Sequence, residues 1–318
     1  MDFQGRLDLV KTTVDEKLRL FFSQKRQEAK RISSHCMELT DQVADLTMRG
    51  GKRTRAFLVW LGHEAAISDK RKVISKTQPL IRAMMAVELF QSFALIHDDI
   101  IDEDTLRRGG STVHEYFKSK VISHKSKVQY AKHFGVSMAI LAGDLALVWA
   151  DELMGRVKSQ ESGVKSKGGV STSDVKEVRT SEVNEKVLRL YHHMKQEVIF
   201  GQSLDVLASV GMPSADRATI NRYKTAWYSV IRPLQIGAAI AWADEKMLET
   251  FVHYGLAVGE TYQLRDDVLD GAIPEDIFAN QAARFQDQAT QAIKKLNVSR
   301  SAAGMLGDFA RFAQDRRA

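Results

Sequence analysis

Proline is so scarce in this chain that its distribution restricts the fold more than any other feature. The 318 residues include four prolines, at Pro79, Pro213, Pro233 and Pro274. Proline interrupts helices, and the long intervals between these positions carry apolar residues at three-to-four spacing, with few alternating runs of β-branched residues. The sequence therefore predicts an all-α fold.

Composition narrows the classes of function. The formal net charge is +6, but the lysines and arginines are scattered rather than gathered along one helix, which argues against a nucleic-acid partner. The single cysteine, Cys36, excludes an intramolecular disulfide and fits a reducing compartment. No apolar run approaches the length of a membrane span. We expect a soluble, cytoplasmic protein without a transmembrane segment.

The stretch from Glu88 to Gly110, ELFQSFALIHDDIIDEDTLRRGG, reads as an apolar helix that ends in clustered carboxylates. Asp98 and Asp102 are four residues apart, so their side chains share one helix face, with Asp99 close by. Like charges on an apolar helix repel each other unless a cation lies between them, and oxygen-only ligands suit Mg²⁺. A solvated helix end would carry a similar cluster.

Two further features favour a site for magnesium and diphosphate. Arg107 and Arg108 follow the first cluster, as expected if the same site holds an anion such as a phosphate. A second copy of the motif, in TYQLRDDVLDG, repeats the spacing with Asp266, Asp267 and Asp270. On facing helices of a bundle, the two sets of carboxylates would converge on one cavity.

A third motif, RGGKRTR, places basic residues at the start of a helix. Gly50 and Gly51 break the preceding helix, and Lys52, Arg53 and Arg55 crowd the start of the next one. Cations at a helix N-terminus oppose the helix dipole, so this placement is unfavourable unless an anion is held there. A basic loop tip in water is the alternative.

Together these motifs resemble those of the trans-isoprenyl diphosphate synthases, the polyprenyl synthetase family that makes farnesyl and geranylgeranyl diphosphates. The resemblance extends from about Gly50 to Asp270 and includes several motifs in the family's order. It implies one isoprenoid synthase domain over residues 1–318, built as a large helical bundle with a central active-site cavity. It also implies a homodimer, which the small residues from Ala139 to Ala146 favour too. Residues 158–174, rich in Ser, Gly and Lys, are expected to form a surface loop.

The resemblance assigns residues to each ligand. Those matching the isopentenyl diphosphate site are Lys52, Arg55, Gln91 and Arg108. Those matching the allylic diphosphate site are Arg107, Lys224 and Thr225. Further residues lining the site are Gln202, Asp205 and Gln263. The implied ligands of Mg²⁺, with three ions in the site, are Asp98, Asp99, Asp102, Asp266, Asp267 and Asp270.

The implied reaction is head-to-tail condensation by ionisation, condensation and elimination. Asp98, Asp102 and Asp266 would hold Mg²⁺, while Arg107 and Lys224 help to neutralise the allylic diphosphate as it leaves. These five residues are the candidate catalytic residues. The allylic substrate would be dimethylallyl, geranyl or farnesyl diphosphate. The alternatives are a catalytically poor partner subunit of a prenyl synthase and, after it, a terpene cyclase.

Product length is predicted from the helix upstream of the first aspartate motif. Phe93 and Phe90 lie five and eight residues before Asp98, so both point along the wall down which a growing chain extends. Ala94 leaves a gap where one type of farnesyl synthase carries a second aromatic residue. The combination resembles that of twenty-carbon synthases, with fifteen carbons as the close alternative. We therefore expect geranylgeranyl diphosphate, with farnesyl diphosphate accumulating.

The segment after the second aspartate motif departs from the family's pattern. Family members usually continue with a loop whose lysine closes over the diphosphate, whereas this chain continues DGAIPEDIFANQAARFQDQA, and Pro274 is expected to open a new helix. Either Arg265 or Arg316 takes the place of that lysine, or the site closes less completely. Upstream, Pro233 is expected to kink the helix that follows Lys224.

Overall fold

The computed structural model describes residues 1–67, 78–122, 128–157, 172–269, 271 and 273–315. Within these ranges the chain is built almost entirely of helices, which confirms the all-α prediction. The α-helices are α1 (Phe3–Lys30), α2 (Ser34–Met48), α3 (Thr54–Ala66), α4 (Gln78–Ile101), α5 (Val113–Ile122), α6 (Val128–Gly155), α7 (Thr172–Ser209), α8 (Arg217–Asn221), α9 (Arg232–Ile240), α10 (Glu245–Leu269), α11 (Glu275–Lys295) and α12 (Arg300–Gln314).

Two elements of other kinds interrupt the α-helices. A π-helix spans Arg222–Ile231, between α8 and α9. Strands β1 (Leu106–Arg107) and β2 (Gly110–Ser111) pair antiparallel and form a short hairpin between α4 and α5. Neither element is predicted by the sequence pattern.

The chain divides into two compact units. The N-terminal unit comprises residues 7–56 and 82–156, and the C-terminal unit comprises residues 1–6, 57–81 and 157–318. Each unit has its own buried residues and carries its own part of the predicted site. The assignment of one domain over residues 1–318 stays a prediction.

The core of the N-terminal unit is built around α4. This helix begins at Gln78, with Pro79 in its first turn as predicted. Leu89 and Phe90 on α4 are completely buried, as is Leu46 on α2. A helix that is apolar nearly all round belongs in a core, so the first aspartate motif extends from a firmly packed element.

The core of the C-terminal unit joins helices that are distant in sequence. Phe57 of α3 stacks on Phe309 of α12, with 6.1 Å between ring centroids. Tyr254 of α10 is fully buried and donates a hydrogen bond to the carbonyl of Leu306 at 2.8 Å. Burial holds the pKa of Tyr254 well above its ordinary value. These contacts fix α10, which carries the second aspartate motif.

Two helices are long and apolar enough to span a membrane, so the expectation that no apolar run reaches this length is wrong. Gln78–Ile101 has a mean hydropathy of 1.4 with 78% of its apolar stretch buried, and Tyr130–Gly155 has a mean hydropathy of 1.5 with 39% buried. Burial in the unit's own core accounts for the composition of the first. Of the apolar stretch in the second, more than half is not buried by the described residues.

The predicted surface loop at 158–174 falls largely outside the described residues. Helix α7 already begins at Thr172, so the last three residues of the predicted loop are helical.

Candidate functional site

The first aspartate motif lies at the C-terminal end of α4. Asp98 is half-buried, Asp99 is fully buried and Asp102 is exposed. The backbone N–H of Asp102 donates to the carbonyl of Asp98 at 2.8 Å. Helical geometry therefore reaches Asp102, and these two carboxylates lie on one face with the spacing expected of a pair of metal ligands.

Asp99 binds an arginine. Arg107 Nε donates to Asp99 Oδ1 at 2.6 Å, and Arg107 Nη2 donates to Asp104 Oδ2 at 2.6 Å. The other oxygen of Asp99 is buried without a hydrogen-bond partner in the described part of the chain. Burial raises the pKa of Asp99 to about 6, although Arg107 acts in the opposite direction. Asp99 thus fixes Arg107, and its role as a metal ligand stays a prediction.

Arg107 and Arg108 are carried by the β1–β2 hairpin. Arg108 and Gly109 both have positive φ, 52° and 74°, as a two-residue turn of type I′ requires. Arg108 Nη1 donates to the carbonyls of Leu46 at 3.2 Å and Arg49 at 3.3 Å. The surrounding protein removes hydration from this guanidinium, and neighbouring arginines crowd it, so the pKa of Arg108 is lowered.

The RGGKRTR motif is braced by a buried arginine. Arg53 has a positive φ of 54° and is almost completely buried. Its guanidinium donates to Asp15 at 2.8 Å, to Glu88 at 3.3 Å and to the carbonyl of Thr47 at 2.7 Å. The turn that carries Lys52 is therefore anchored to α1, α2 and α4 within the same unit.

Glu88 also caps the helix that carries Arg55. Its Oε1 accepts a hydrogen bond from the backbone N–H of Ala56 at 3.1 Å, in the first turn of α3. A carboxylate at this position satisfies an N–H that the helix leaves open and opposes the positive end of the dipole. The unfavourable crowding of cations at this helix start is thus relieved partly inside the protein, by Asp15 and Glu88.

The predicted chain-length residues form an aromatic row on α4. The rings of Phe90 and Phe93 lie 5.3 Å apart between centroids, and Phe93 meets the ring of His97 edge to face at 4.7 Å. A side chain at Gly143 on α6 would collide with His97. Close approach of α6 therefore holds His97, and with it Phe93, in place. Ala94 beside them is half-buried.

In the C-terminal unit, Lys224 is held by an aspartate of α7. Lys224 Nζ donates to Asp205 Oδ2 at 2.7 Å, and Arg217 Nη1 donates to Asp205 Oδ1 at 2.7 Å. Burial alone would raise the pKa of Asp205, but the two cations outweigh it and the pKa lies below its ordinary value. Gln202 is half-buried one turn before Asp205.

The π-helix carries both Lys224 and Thr225. The backbone N–H of Arg232 reaches back to the carbonyl of Trp227, a five-residue step that widens the helix. Close approach of two glycines makes room for it. A Cβ at Gly201 of α7 would lie 2.8 Å from the nitrogen of Lys224, and one at Gly259 of α10 would collide with Ala226. The expected disturbance before Pro233 therefore takes the form of a π-helix, followed by a regular α9.

The second aspartate motif ends α10. Asp266 and Asp267 are half-buried, and Gln263 Nε2 donates to Asp267 Oδ1 at 2.9 Å. The third member, Asp270, lies outside the described residues. Gln263 is one helical turn from Asp267, so the predicted substrate-contacting amide is engaged with its own motif.

Arg265 is tied to the helix that follows the motif. Arg265 Nη1 forms an ion pair with Glu275 at 2.8 Å, and its guanidinium lies 5.0 Å from the ring centroid of Phe278. These contacts join α10 to the first turn of α11. Two residues were considered as replacements for the closing lysine. Arg265 binds residues of α11, and Arg316 lies outside the described residues.

The polyprenyl synthetase family model matches residues 37–284 of the chain. The chain belongs to the polyprenyl synthetase family. Among curated family members, the short chain isoprenyl diphosphate synthase of Methanocaldococcus jannaschii is 29% identical over 225 residues, which cover 71% of this chain and 55% of that protein. The geranylgeranyl diphosphate synthase of Methanosarcina mazei is 29% identical over 229 residues, 72% of this chain and 57% of that protein. The chain thus spans little more than half the length of these relatives.

A solved polyprenyl synthetase structure covers the full length of the chain. The geranylgeranyl pyrophosphate synthase of Corynebacterium glutamicum, in complex with isoprenyl diphosphate and magnesium, is 25% identical with a TM-score of 0.81, and the match covers 100% of both chains. The polyprenyl synthetase assignment therefore rests on both sequence and fold.

The carboxylates of this polyprenyl synthetase have the right chemistry for Mg²⁺. Asp98, Asp102 and Asp266 offer oxygen donors alone, which magnesium prefers. Within the described residues, no three Asp, Glu, His or Cys side chains form a group that could hold a metal ion. Asp99 binds Arg107, Asp270 is outside those residues, and the two motifs belong to different units.

Sequence reasoning missed four residues that contact predicted site residues or the segments that carry them. Asp15 and Glu88 neutralise Arg53, Arg217 shares Asp205 with Lys224, and Arg49 contacts the hairpin. Each acts through another residue, so no ligand-type motif marks it. Only Glu88 has a sequence signal, since it lies one turn before Gln91 on the same helix.

Proposed function

We propose that this protein is a short-chain prenyltransferase that condenses isopentenyl diphosphate with an allylic diphosphate, head to tail and in the trans configuration. The observation that carries the proposal is the environment of Arg108. Its guanidinium donates to two carbonyls, and in the described part of the chain it forms no ion pair with a carboxylate. Arg108 lies beside Gly51 in the RGGKRTR turn, so a guanidinium that no carboxylate of the described residues neutralises lies where an anion would bind.

The chain's own residues would divide between the two substrates. Lys52, Arg55, Gln91 and Arg108 would hold isopentenyl diphosphate, and Arg107, Lys224 and Thr225 would hold the allylic diphosphate. Gln202 and Gln263 would line the same site. Arg107 is suited to its role because Asp99 and Asp104 fix its orientation before a ligand arrives, which reduces the entropy lost on binding.

Mg²⁺ would be held by Asp98, Asp102 and Asp266, with three ions in the site. Asp99, Asp267 and Asp270 would serve either as further ligands or as neighbours that hold the ligands in place. When bound, it would neutralise charge on the leaving diphosphate. Arg107 and Lys224 would stabilise the same charge as the bond to the allylic carbon breaks. The double bond of isopentenyl diphosphate would then attack the allylic cation, and the released diphosphate would accept the proton.

We expect geranylgeranyl diphosphate as the main product, with farnesyl diphosphate accumulating. Phe90 and Phe93 would form the floor of the chain cavity, and Ala94 would leave the space for twenty carbons. The rigid contact of Phe93 with His97 supports this, because a fixed ring limits chain length more sharply than a mobile one.

The protein is expected to form a homodimer. The residues Ala139, Ala142 and Ala146 are buried within the chain, so they support helix packing inside the unit rather than the dimer. The support comes from the opposite side of α6, where Leu141 and Val148 are 52% and 60% exposed. Exposed apolar patches of this kind mark contact surfaces. Light scattering at micromolar concentration tests the dimer.

Product chromatography tests the proposed activity. Purified protein is incubated with Mg²⁺, isopentenyl diphosphate and, separately, dimethylallyl, geranyl or farnesyl diphosphate. Elongation to twenty carbons with a fifteen-carbon intermediate is the expected result. A complete lack of elongation with all three would contradict it and would favour the alternative, a catalytically poor partner subunit. The specific support for that alternative is that Arg265 binds Glu275 and Phe278 of α11.

A further inference from the structure

The position of Arg49 suggests a role that no family motif assigns to it. Arg49 follows α2 directly and precedes the two glycines of the RGGKRTR turn. Its Nη1 donates to the carbonyl of Arg107 at 3.1 Å, and its Nη2 donates to the carbonyl of Ser111 at 3.0 Å. One guanidinium therefore bridges the two strands of the hairpin from outside.

The contact is reciprocal. The carbonyl of Arg49 accepts a hydrogen bond from Arg108 Nη1 at 3.3 Å. Asp45, one turn earlier on α2, forms an ion pair with Arg49 at 2.9 Å. Contacts thus link Asp45 to Arg49 and Arg49 to the hairpin, and the hairpin residue Arg108 in turn binds the backbone of Arg49. The Arg49 side chain is only 18% exposed.

Gly110 makes this arrangement possible. A Cβ at Gly110 would collide with the Arg49 guanidinium and would lie 2.8 Å from its Cζ. The backbone of Gly110 has no positive φ, so alanine fits its conformation. The absence of a side chain at this position is explained by the neighbouring arginine and not by the turn.

We propose that Arg49 is a positioning residue that fixes the β1–β2 hairpin against the end of α2 and thereby presents Arg108 to isopentenyl diphosphate. This inference rests on the proposed function and deepens it. The effect should fall on Arg108 more than on Arg107. The Arg107 side chain has partners away from α2, Asp99 and Asp104, whereas the Arg108 side chain is held by carbonyls at the end of α2 itself.

Two variants remove the contact in different ways. Arg49→Ala deletes the guanidinium, and Gly110→Ala displaces it while leaving its charge in the protein. Because the colliding atoms are the far end of a flexible side chain, we expect Gly110→Ala to fold. Gly155→Ala is the matched control, since no atom lies within 4 Å of a Cβ placed there and its φ is not positive.

Steady-state kinetics provides the first measurement. Each of the two variants is expected to raise KM for isopentenyl diphosphate roughly tenfold, as expected for one impaired charged contact, with a smaller rise in KM for the allylic substrate. The double variant should resemble Arg49→Ala alone, because the alanine then has nothing to displace. Arg49→Lys should restore part of the affinity, since an ammonium can reach one of the two carbonyls.

Amide hydrogen exchange of residues 105–112, without substrate, gives a readout independent of activity. Faster exchange in Arg49→Ala and Gly110→Ala, but not in Gly155→Ala, supports the inference. Unchanged exchange together with unchanged KM values would overturn it. If the wild-type protein elongates no allylic substrate, the proposed function fails, and the inference is then decided by hairpin exchange and by calorimetry with inorganic diphosphate. Equal exchange and affinity in wild type and both variants would again overturn it.

Discussion

Arg107 Nε donates a hydrogen bond of 2.6 Å to Asp99, the middle one of three clustered aspartates. The three carboxylates share one sequence motif but differ in burial and in partner. Asp98 and Asp102 lie on one helix face, while Asp99 is turned into the protein and engaged with an arginine from the hairpin. Substitutions of the three should therefore differ in kind.

The first prediction separates metal binding from arginine positioning. Asp98→Asn should raise the Mg²⁺ concentration needed for half-maximal activity and should lower activity by orders of magnitude. Asp99→Asn should leave the Mg²⁺ dependence nearly unchanged and should raise KM for the allylic diphosphate, because Arg107 loses an ionised partner. Kinetics at varied Mg²⁺ decides this, and an equal shift in metal dependence for both variants would contradict it.

The second prediction concerns the pH dependence of stability in the metal-free protein. Burial raises the pKa of Asp99 from 3.8 to about 6, so the folded state binds the proton more tightly than the unfolded state. This contribution to stability is fully present below pH 4 and is lost as pH rises through about 6. The loss should be on the order of 3 kcal/mol. Urea unfolding from pH 4 to 7 measures it, and Asp99→Asn should abolish this part of the slope.

The third prediction assigns each lysine to one diphosphate. Lys52→Ala should raise KM for isopentenyl diphosphate roughly tenfold or more, with little effect on the allylic substrate, as expected for one charge-assisted contact. Lys224→Ala should do the opposite. Initial rates with each substrate varied in turn provide the test, and equal effects on both would refute the division.

The fourth prediction is that Arg53 supports the fold. Arg53→Ala would leave Asp15 and Glu88 as buried, unpaired carboxylates, and such a loss costs about 3–5 kcal/mol. Arg26→Ala is the matched control, because Arg26 pairs with Asp41 at an exposed site, where solvent screening leaves an ion pair with little effect on stability. Urea denaturation compares the two. Similar unfolding free energies would show that the buried network does not brace the turn.

The fifth prediction concerns product length. Phe93→Ala should open the aromatic row and give products longer than twenty carbons, and Phe90→Ala should do so at some cost in stability, because its ring is fully buried. Chromatography of the products measures the distribution. The wild-type distribution in both variants would place the floor of the cavity elsewhere.

The all-α fold and the motif positions follow from sequence because they depend on local periodicity. Helix α4, for example, is apolar nearly all round and begins with proline in its first turn. The partners of the motif residues could not be predicted in the same way. Arg107 returns to Asp99 because the chain turns back between the end of α4 and β1, where Glu103 has a positive φ of 55°, and no motif residue marks that turn.

The orientation of the Arg53 side chain could not be predicted from the sequence either. Arg53 has a positive φ and is buried in the protein, where it binds Asp15, a residue of α1 that lies 38 positions earlier in the sequence. The charge pattern of RGGKRTR treats the three cations alike. Tertiary contacts distinguish them, and those depend on parts of the chain that share no motif.

The π-helix makes the segment around Lys224 sensitive to length rather than to composition. Its hydrogen bonds step back five residues, as Arg232 to Trp227 illustrates. Deleting one residue between Trp227 and Arg232 would restore the ordinary four-residue step and rotate the preceding turn by about 100°, carrying the lysine amine away from Asp205. A substitution in the same stretch would leave that angle intact. A relative with one residue fewer in this stretch would therefore still align a lysine with Lys224. Its lysine would nevertheless no longer lie next to the aspartate.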